Sequence, residues 1–313
     1  MKPDPSAEPP RLPRAQAGAQ PQHLIVTLLG DYWFGRTEPL PSASLVALMS
    51  EFGISSSSAR TALSRLARRD LLSVSKAGRS TFYSATPYAE RVLKEGRERL
   101  FSFGDESPDS WDGSWLVVVF SVPEEQRELR HMLRNRLRWL GFGPLYDGVW
   151  VSPHQAAGAV AAALAECGVE QATVLRTVSV ELAGVPTRDP LSAWNLDDLR
   201  MAYEQFIERF EPLLERVRTG RVSVSEALTE RTAIMDTWRT FPDLDPELPE
   251  SMLPADWPRR RAREIFAQAY DTLGPLAEFR FRQVISEHAP ELAYLVGHFT
   301  TESELRLPEG LRA

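Results

Sequence analysis

The chain has a single cysteine, Cys167, among its 313 residues, so it can form no internal disulfide. That usage fits a reducing compartment, and a thiol ending an alanine-rich stretch reads as a small buried filler rather than a reactive group. No apolar run approaches the length of a membrane span, and the opening MKPDPSAEPP lacks the apolar core of a signal peptide. A cytoplasmic protein with no membrane partner is therefore expected. Histidine is also sparse: His23, His131, His154, His288 and His298 show no metal-ligand spacing. P-loop, dinucleotide-binding and nucleophile-elbow patterns are missing. No catalytic residue, metal or cofactor is expected, and the chain does not read as an enzyme. With a net charge of −7 it is too acidic to coat nucleic acid indiscriminately.

What charge there is lies unevenly. Between His23 and Thr86 stand seven bases (Arg36, Arg60, Arg65, Arg68, Arg69, Lys76 and Arg79) against four acids (Asp31, Glu38, Glu51 and Asp70). A basic module on an acidic body suits local contact with DNA and limited non-specific binding.

The most informative stretch is Ser55 to Ala85. Ala59, Ala62, Leu63, Leu66 and Ala67 follow the spacing of one buried helix face. Ser56, Ser57, Arg60, Thr61, Ser64, Arg65 and Arg68 occupy the other side, with no acid before Asp70. Hydroxyls suit phosphate contact, and arginine can take guanine O6 and N7 together. Ser55 or Ser56 can cap the helix start, where the dipole attracts phosphate. Strand-like runs Leu71–Ser75 and Ser80–Ala85 then flank Lys76-Ala77-Gly78-Arg79, a hairpin whose basic tip places Lys76 and Arg79 beside the helix. Preceded by a helix at His23–Tyr32 and a second one capped by Ser42, this is the outline of a winged helix-turn-helix for double-stranded DNA.

The organisation expected is α+β and multidomain: a disordered tail over 1–21, a winged-helix domain over 22–104, a ferredoxin-like domain over 112–183 and a helical C-terminal domain over 195–313. The tail is rich in Pro, Ala and Gln. The central order is a buried strand Trp115–Val122, a helix Glu124–Leu140 with Leu129, Met132, Leu133, Leu137 and Leu140 inward, strands near Leu145-Tyr146 and Val149–Val151, a helix Gln155–Cys167, and a strand Ala172–Val180. Beyond Asp197, Leu199, Tyr203, Phe206, Ile207, Phe210 and Leu214 form one helical stripe. Val224–Trp238 forms a second helix, Arg239–Arg259 is proline-rich and irregular, and Ala262–Ile285 is a helix interrupted at Gly274-Pro275, with Leu276 inward.

Three segments carry a family resemblance: SARTALSRLARRDLL with GRSTFY; WLVVVFSVPE with LRWLGFGPLYDGVWVSP; and, from Trp238, WRTFPDLDPELP leading to LPADWP. Over about His23 to Tyr294 the chain resembles the phenylacetic-acid-type repressors, the PaaX-like regulators. The resemblance implies a winged-helix reader, a central domain similar to the small CRISPR-associated ribonucleases, and a helical C-terminal domain. It also implies a homodimer on operator DNA, released by an aromatic acyl-CoA such as phenylacetyl-CoA.

The central domain raises a nuclease alternative, since the ribonucleases it resembles carry an aspartate ending the first strand to hold a metal. Ser121 stands there instead, and a hydroxyl is a poor replacement on a hard cation. Asp147, before Gly148, reads as a turn residue. A pure interaction protein would leave Arg60, Arg65 and Arg68 without a purpose. Arg239, Arg259, Arg260 and Arg261 are candidates for acyl-CoA phosphates but read first as solvated surface charge; the effector pocket has no sequence signature.

Overall fold

The computed structural model describes residues 20–104, 111–169, 171–179 and 187–302. They divide into two units: one holds the described parts of 1–103, 207–240 and 263–313, the other those of 104–206 and 241–262. The dividing point falls inside one helix, α7 (Leu196–Arg218), so residues beyond 195 contribute to both units. The expected tail lies outside the described residues up to 19, and its last residue, Pro21, already belongs to α1 (Pro21–Tyr32). A proline there costs no hydrogen bond and presets the helical φ.

In the first unit α1 is buried without interruption from His23 to Tyr32. Its apolar residues lie on every side, and such a helix must be covered all round. A two-residue strand, β1 (Leu40–Pro41), leads directly into α2 (Ser42–Ser50), so Ser42 is the first helical residue and the side chain at the cap, Pro41, makes no capping bond. The expected Ser42 cap is thereby corrected. The turn that follows closes on Gly53 at φ 71°, with Gly53 N–H donating to Ser50 O and Ile54 N–H to Met49 O. Helix α3 (Ser56–Arg68) comes next, then the hairpin β2 (Leu72–Ala77) and β3 (Ser80–Ala85), and α4 (Pro87–Ser102). The sheet order is β1-β3-β2, all antiparallel. The hairpin turn is only Gly78-Arg79, and Gly78 at φ 60° is the glycine of a two-residue turn.

The rest of α7 from Ile207 and two further helices complete this unit, α8 (Val224–Trp238) and α10 (Arg259–Ser286) from Arg263 onward. Trp238 stacks on Phe266 at 4.6 Å, and its indole N–H donates to Leu100 O. Charge is buried beside these rings. Arg231, with no exposed surface, donates to Tyr270 O (3.0 Å) and Phe299 O (2.6 Å), and its Nη1 lies 3.8 Å from Asp31 Oδ2. Tyr270 OH donates to Asp31 Oδ1 at 3.1 Å. Arg97 donates to Gly30 O and lies over the rings of Phe34 and Phe299.

Helix α10 runs unbroken through Gly274-Pro275, against the expected interruption. Proline removes one helical bond, but Leu273, Ala277, Phe281 and Ile285 are fully buried on both sides of it, and that packing holds the axis. Leu276 is exposed, with Ala277 taking the inward place assigned to it.

The second unit is built on β4 (Trp115–Phe120), α5 (Arg127–Trp139), β5 (Gly143–Tyr146), β6 (Val149–Ser152), α6 (Ala157–Glu166) and β7 (Ala172–Thr177). The antiparallel order β5-β6-β4-β7 is the βαββαβ arrangement of a ferredoxin-like domain. Leu116, Val118, Phe120, Leu133, Leu137, Trp150 and Val160 form its core, with Cys167 buried beside them. Met132, expected inward, is half exposed because it sits beside rather than on the Leu129–Leu133–Leu137 line. The first part of α7 and the short helix α9 (Phe241–Leu244) belong here too: Tyr203 stacks on Phe241 at 4.3 Å and its hydroxyl donates to Asp245 at 2.6 Å.

Candidate nucleic-acid interface

Helix α3 starts at a serine for a physical reason. Ser55, in extended conformation, accepts the N–H of Ser58 in its side chain at 3.3 Å, so Ser55 is the cap and Ser56 the first helical residue. At the other end the helix closes with two reverse bonds, Asp70 N–H to Ala67 O and Leu71 N–H to Leu66 O, and Asp70 takes the left-handed φ of 55° usually left to glycine. Thr86 then fastens the hairpin's exit: its hydroxyl donates to Asp70 O at 2.8 Å and accepts from Ala89 N–H at the start of α4.

Ala59, Ala62, Leu63 and Leu66 are buried, which turns the opposite side of α3 outward. Ser56, Ser57, Arg60, Thr61, Ser64, Arg65 and Arg68 are all exposed, and so are Lys76 and Arg79 on the hairpin. The nine sequence-derived candidates thus share one property, solvent access, inside one unit. Among the described residues the side chains of Arg60, Arg65, Arg68, Lys76 and Arg79 have no hydrogen-bond or ion-pair partner. Thr61 differs, because its hydroxyl proton is used within the helix on Ser57 O at 2.9 Å, leaving it only as an acceptor. Lys76 lies in strand β2 opposite Thr81 rather than in the turn; Arg79 is in the turn. Arg69 is half-buried and points to Gln22, so it belongs to packing and not to the outward face. With Ser58 also exposed, eight polar groups on a helix of 13 residues, about 20 Å long, with no acid among them, form a surface suited to an anionic polymer.

The residues that hold the turn before α3 have no local sequence signal. Glu51, at the end of α2, accepts from Arg280 of α10 and Ser225 of α8, partners far away in the chain.

The chain matches three family models: a PaaX-like protein model over 20–88, the PaaX central Cas2-like domain over 108–188, and the PaaX-like C-terminal domain over 194–283. It is 30% identical over 261 residues to the transcriptional repressor PaaX of Escherichia coli K12, covering 81% of this chain and 80% of that one. The chain belongs to the PaaX family. It is a PaaX-like regulator rather than an enzyme. Among solved structures it is similar to the uncharacterized protein Rv0674 from Mycobacterium tuberculosis, at 18% identity and a TM-score of 0.47, over 84% of this chain and 97% of that one.

In this PaaX-family chain Ser121 lies one residue past β4, its N–H on Gln171 O. Asp147 sits in the two-residue turn between β5 and β6 and pairs with Arg134. Among the described residues no group of three or more His, Cys, Asp or Glu is placed to hold a metal. Two arginines considered for acyl-CoA phosphates are committed elsewhere: Arg239 to His23 and Thr27, and Arg259, largely buried, to Leu248 O. Arg260 and Arg261 also have partners. A cavity of about 50 Å³ in the first unit, lined by Thr27, Asp31, Arg97 and Arg239 among others, has room for a water-sized group and not for an acyl-CoA.

Proposed function

We propose that this chain is a sequence-specific DNA-binding transcriptional repressor whose reader is a winged helix-turn-helix. In this reading α2, the Gly53 turn and α3 form the helix-turn-helix, α3 enters the major groove, and the β2–β3 hairpin is the wing. The observation that carries the reading is the exposed, acid-free face of α3, with Arg60, Arg65 and Arg68 unpaired among the described residues. Unpaired arginines keep their forks free for guanine edges, and the serines and Thr61 offer contacts to phosphate and base edges. The E. coli relative, named a transcriptional repressor, supports the same reading. One head offers few base contacts, so the active form is a homodimer that reads two inverted half-sites about one helical turn, or a multiple, apart. The effector is an aromatic acyl-CoA such as phenylacetyl-CoA, an assignment resting on the family. It binds the arrangement that does not hold DNA. No helix among the described residues is long and apolar enough to cross a membrane, and the place of action is the cytoplasm.

The test begins with selection of duplexes from a randomised library by the full-length chain. Anisotropy titration of the enriched duplex follows, with and without phenylacetyl-CoA and related thioesters, alongside sedimentation of the free protein. Enrichment of an inverted repeat, a dimer at micromolar concentration and a several-fold to hundred-fold loss of affinity with one thioester are expected, a typical coupling of about 1–3 kcal/mol. A monomer with no enriched sequence, or affinity unmoved by every thioester, would remove the corresponding part.

A further inference from the structure

Base reading depends on the aim of α3, and the turn that sets its aim is gripped from outside the helices and hairpin that surround it. Glu51 stands two residues before Gly53. Its carboxylate accepts three bonds: Arg280 Nε to Oε2 at 3.0 Å, Arg280 Nη2 to Oε1 at 2.7 Å, and Ser225 Oγ to Oε2 at 2.6 Å. Both ionic partners are largely shielded, with side chains 13% and 26% exposed. The Arg280 hydrogen bonds hold the Glu51 carboxyl below its usual range, against the opposing effect of burial. Two parallel N–H bonds fix direction as well as distance, which a point charge would not.

The lever is long. At 13 residues α3 extends about 20 Å from the turn. A tilt of about 5° at its start would displace Arg68 by roughly 1.5 Å, on the same 1.5 Å rise per residue. Such a shift spoils a bidentate bond to a base edge, whose geometry is strict, and is easily absorbed by a charge near phosphate. The backbone bonds of the turn, from the N–H groups of Glu51, Phe52, Gly53 and Ile54 to Leu48 O, Met49 O and Ser50 O, are local and do not tie it to another helix.

We propose that Arg280, seconded by Ser225, is a positioning residue for DNA recognition: its forked bond to Glu51 sets the angle at which α3 meets the bases. The proposal rests on the DNA-reading function above. Its signature is lost selectivity without lost phosphate binding.

The test uses the full-length chain, the duplex it enriches from a randomised library, and a scrambled duplex of equal composition. Arg280→Lys keeps the charge but cannot form the fork, and Glu51→Gln removes the charge with little change in shape. Both variants are checked by circular dichroism and thermal unfolding. For Arg280→Lys we expect the affinity ratio, enriched over scrambled, to fall roughly five- to a hundred-fold, the discrimination one well-aligned bidentate base contact supplies. Affinity for the scrambled duplex and its salt slope should hold. Should Glu51→Gln fail to fold, Arg280→Lys decides alone. An unchanged ratio, or equal losses on both duplexes, would overturn the proposal and leave DNA reading intact. Failure of the unaltered chain to enrich any duplex would overturn both.

Discussion

Asp31 and Glu51 are two carboxylates with opposite fates, and the contrast is testable by pH. Burial pushes the Asp31 carboxyl above its usual range, against the pull of Arg231, Arg97 and Arg239. Its contribution to stability is therefore full in acid, below about pH 3.9, and is lost as pH rises through the folded value. Glu51, held down by Arg280, contributes the other way: its share is present above about pH 4.3 and is lost as pH falls through the folded value. Urea titrations of Glu51→Gln should thus differ from the unaltered chain at pH 7 and converge with it in acid; a difference that grows in acid would contradict the assignment. Arg231 makes the sharper case. Arg231→Met removes one of the cations facing buried Asp31 and takes away the guanidinium donors to Tyr270 O and Phe299 O. A loss of about 3–5 kcal/mol of unfolding free energy is expected, as for other broken buried pairs, and a loss below about 1 kcal/mol would show the network to be idle. None of these pairs was legible in the sequence. Tyr270 and Asp31 are 239 positions apart, and Glu51 and Arg280 are 229 apart. Composition and periodicity carry no information about which distant charges meet.

Among the elements, α3 and the hairpin were readable because their signals are local. An alternating apolar and basic helix face, a serine cap and a glycine turn each act within a few residues, and the structure places Ala59, Ala62, Leu63 and Leu66 inward as their spacing implies. The failures share the opposite cause. Packing on both flanks of Pro275 overrides its local tendency to break α10, and the burial of every residue from His23 to Tyr32 is imposed by neighbours. For the hairpin itself, Lys76 and Arg79 project from a two-stranded ribbon and should touch phosphate. Replacing both with alanine should weaken enriched and scrambled duplexes about equally and lower the magnitude of the salt slope by roughly two. A loss confined to the enriched duplex would mean that the wing reads bases.

At the scale of the molecule, residues 20–103 share a unit with α8 and most of α10, while the ferredoxin-like domain stands in the other. Contacts from α8 and α10 reach α1 directly: Tyr270 of α10 donates to Asp31, and Arg231 of α8 faces the same carboxyl. The acidic whole, at −7, repels DNA in general, so the proposed function requires affinity from the local face. That face is the central claim, and the most direct test is fluorescence anisotropy of the enriched duplex with the triple variant Arg60→Ala, Arg65→Ala, Arg68→Ala, its fold verified by circular dichroism. Each arginine that reads a guanine should cost about 1–3 kcal/mol, so the account predicts a loss of tenfold or more. Binding by the triple variant as tight as by the unaltered chain would contradict it.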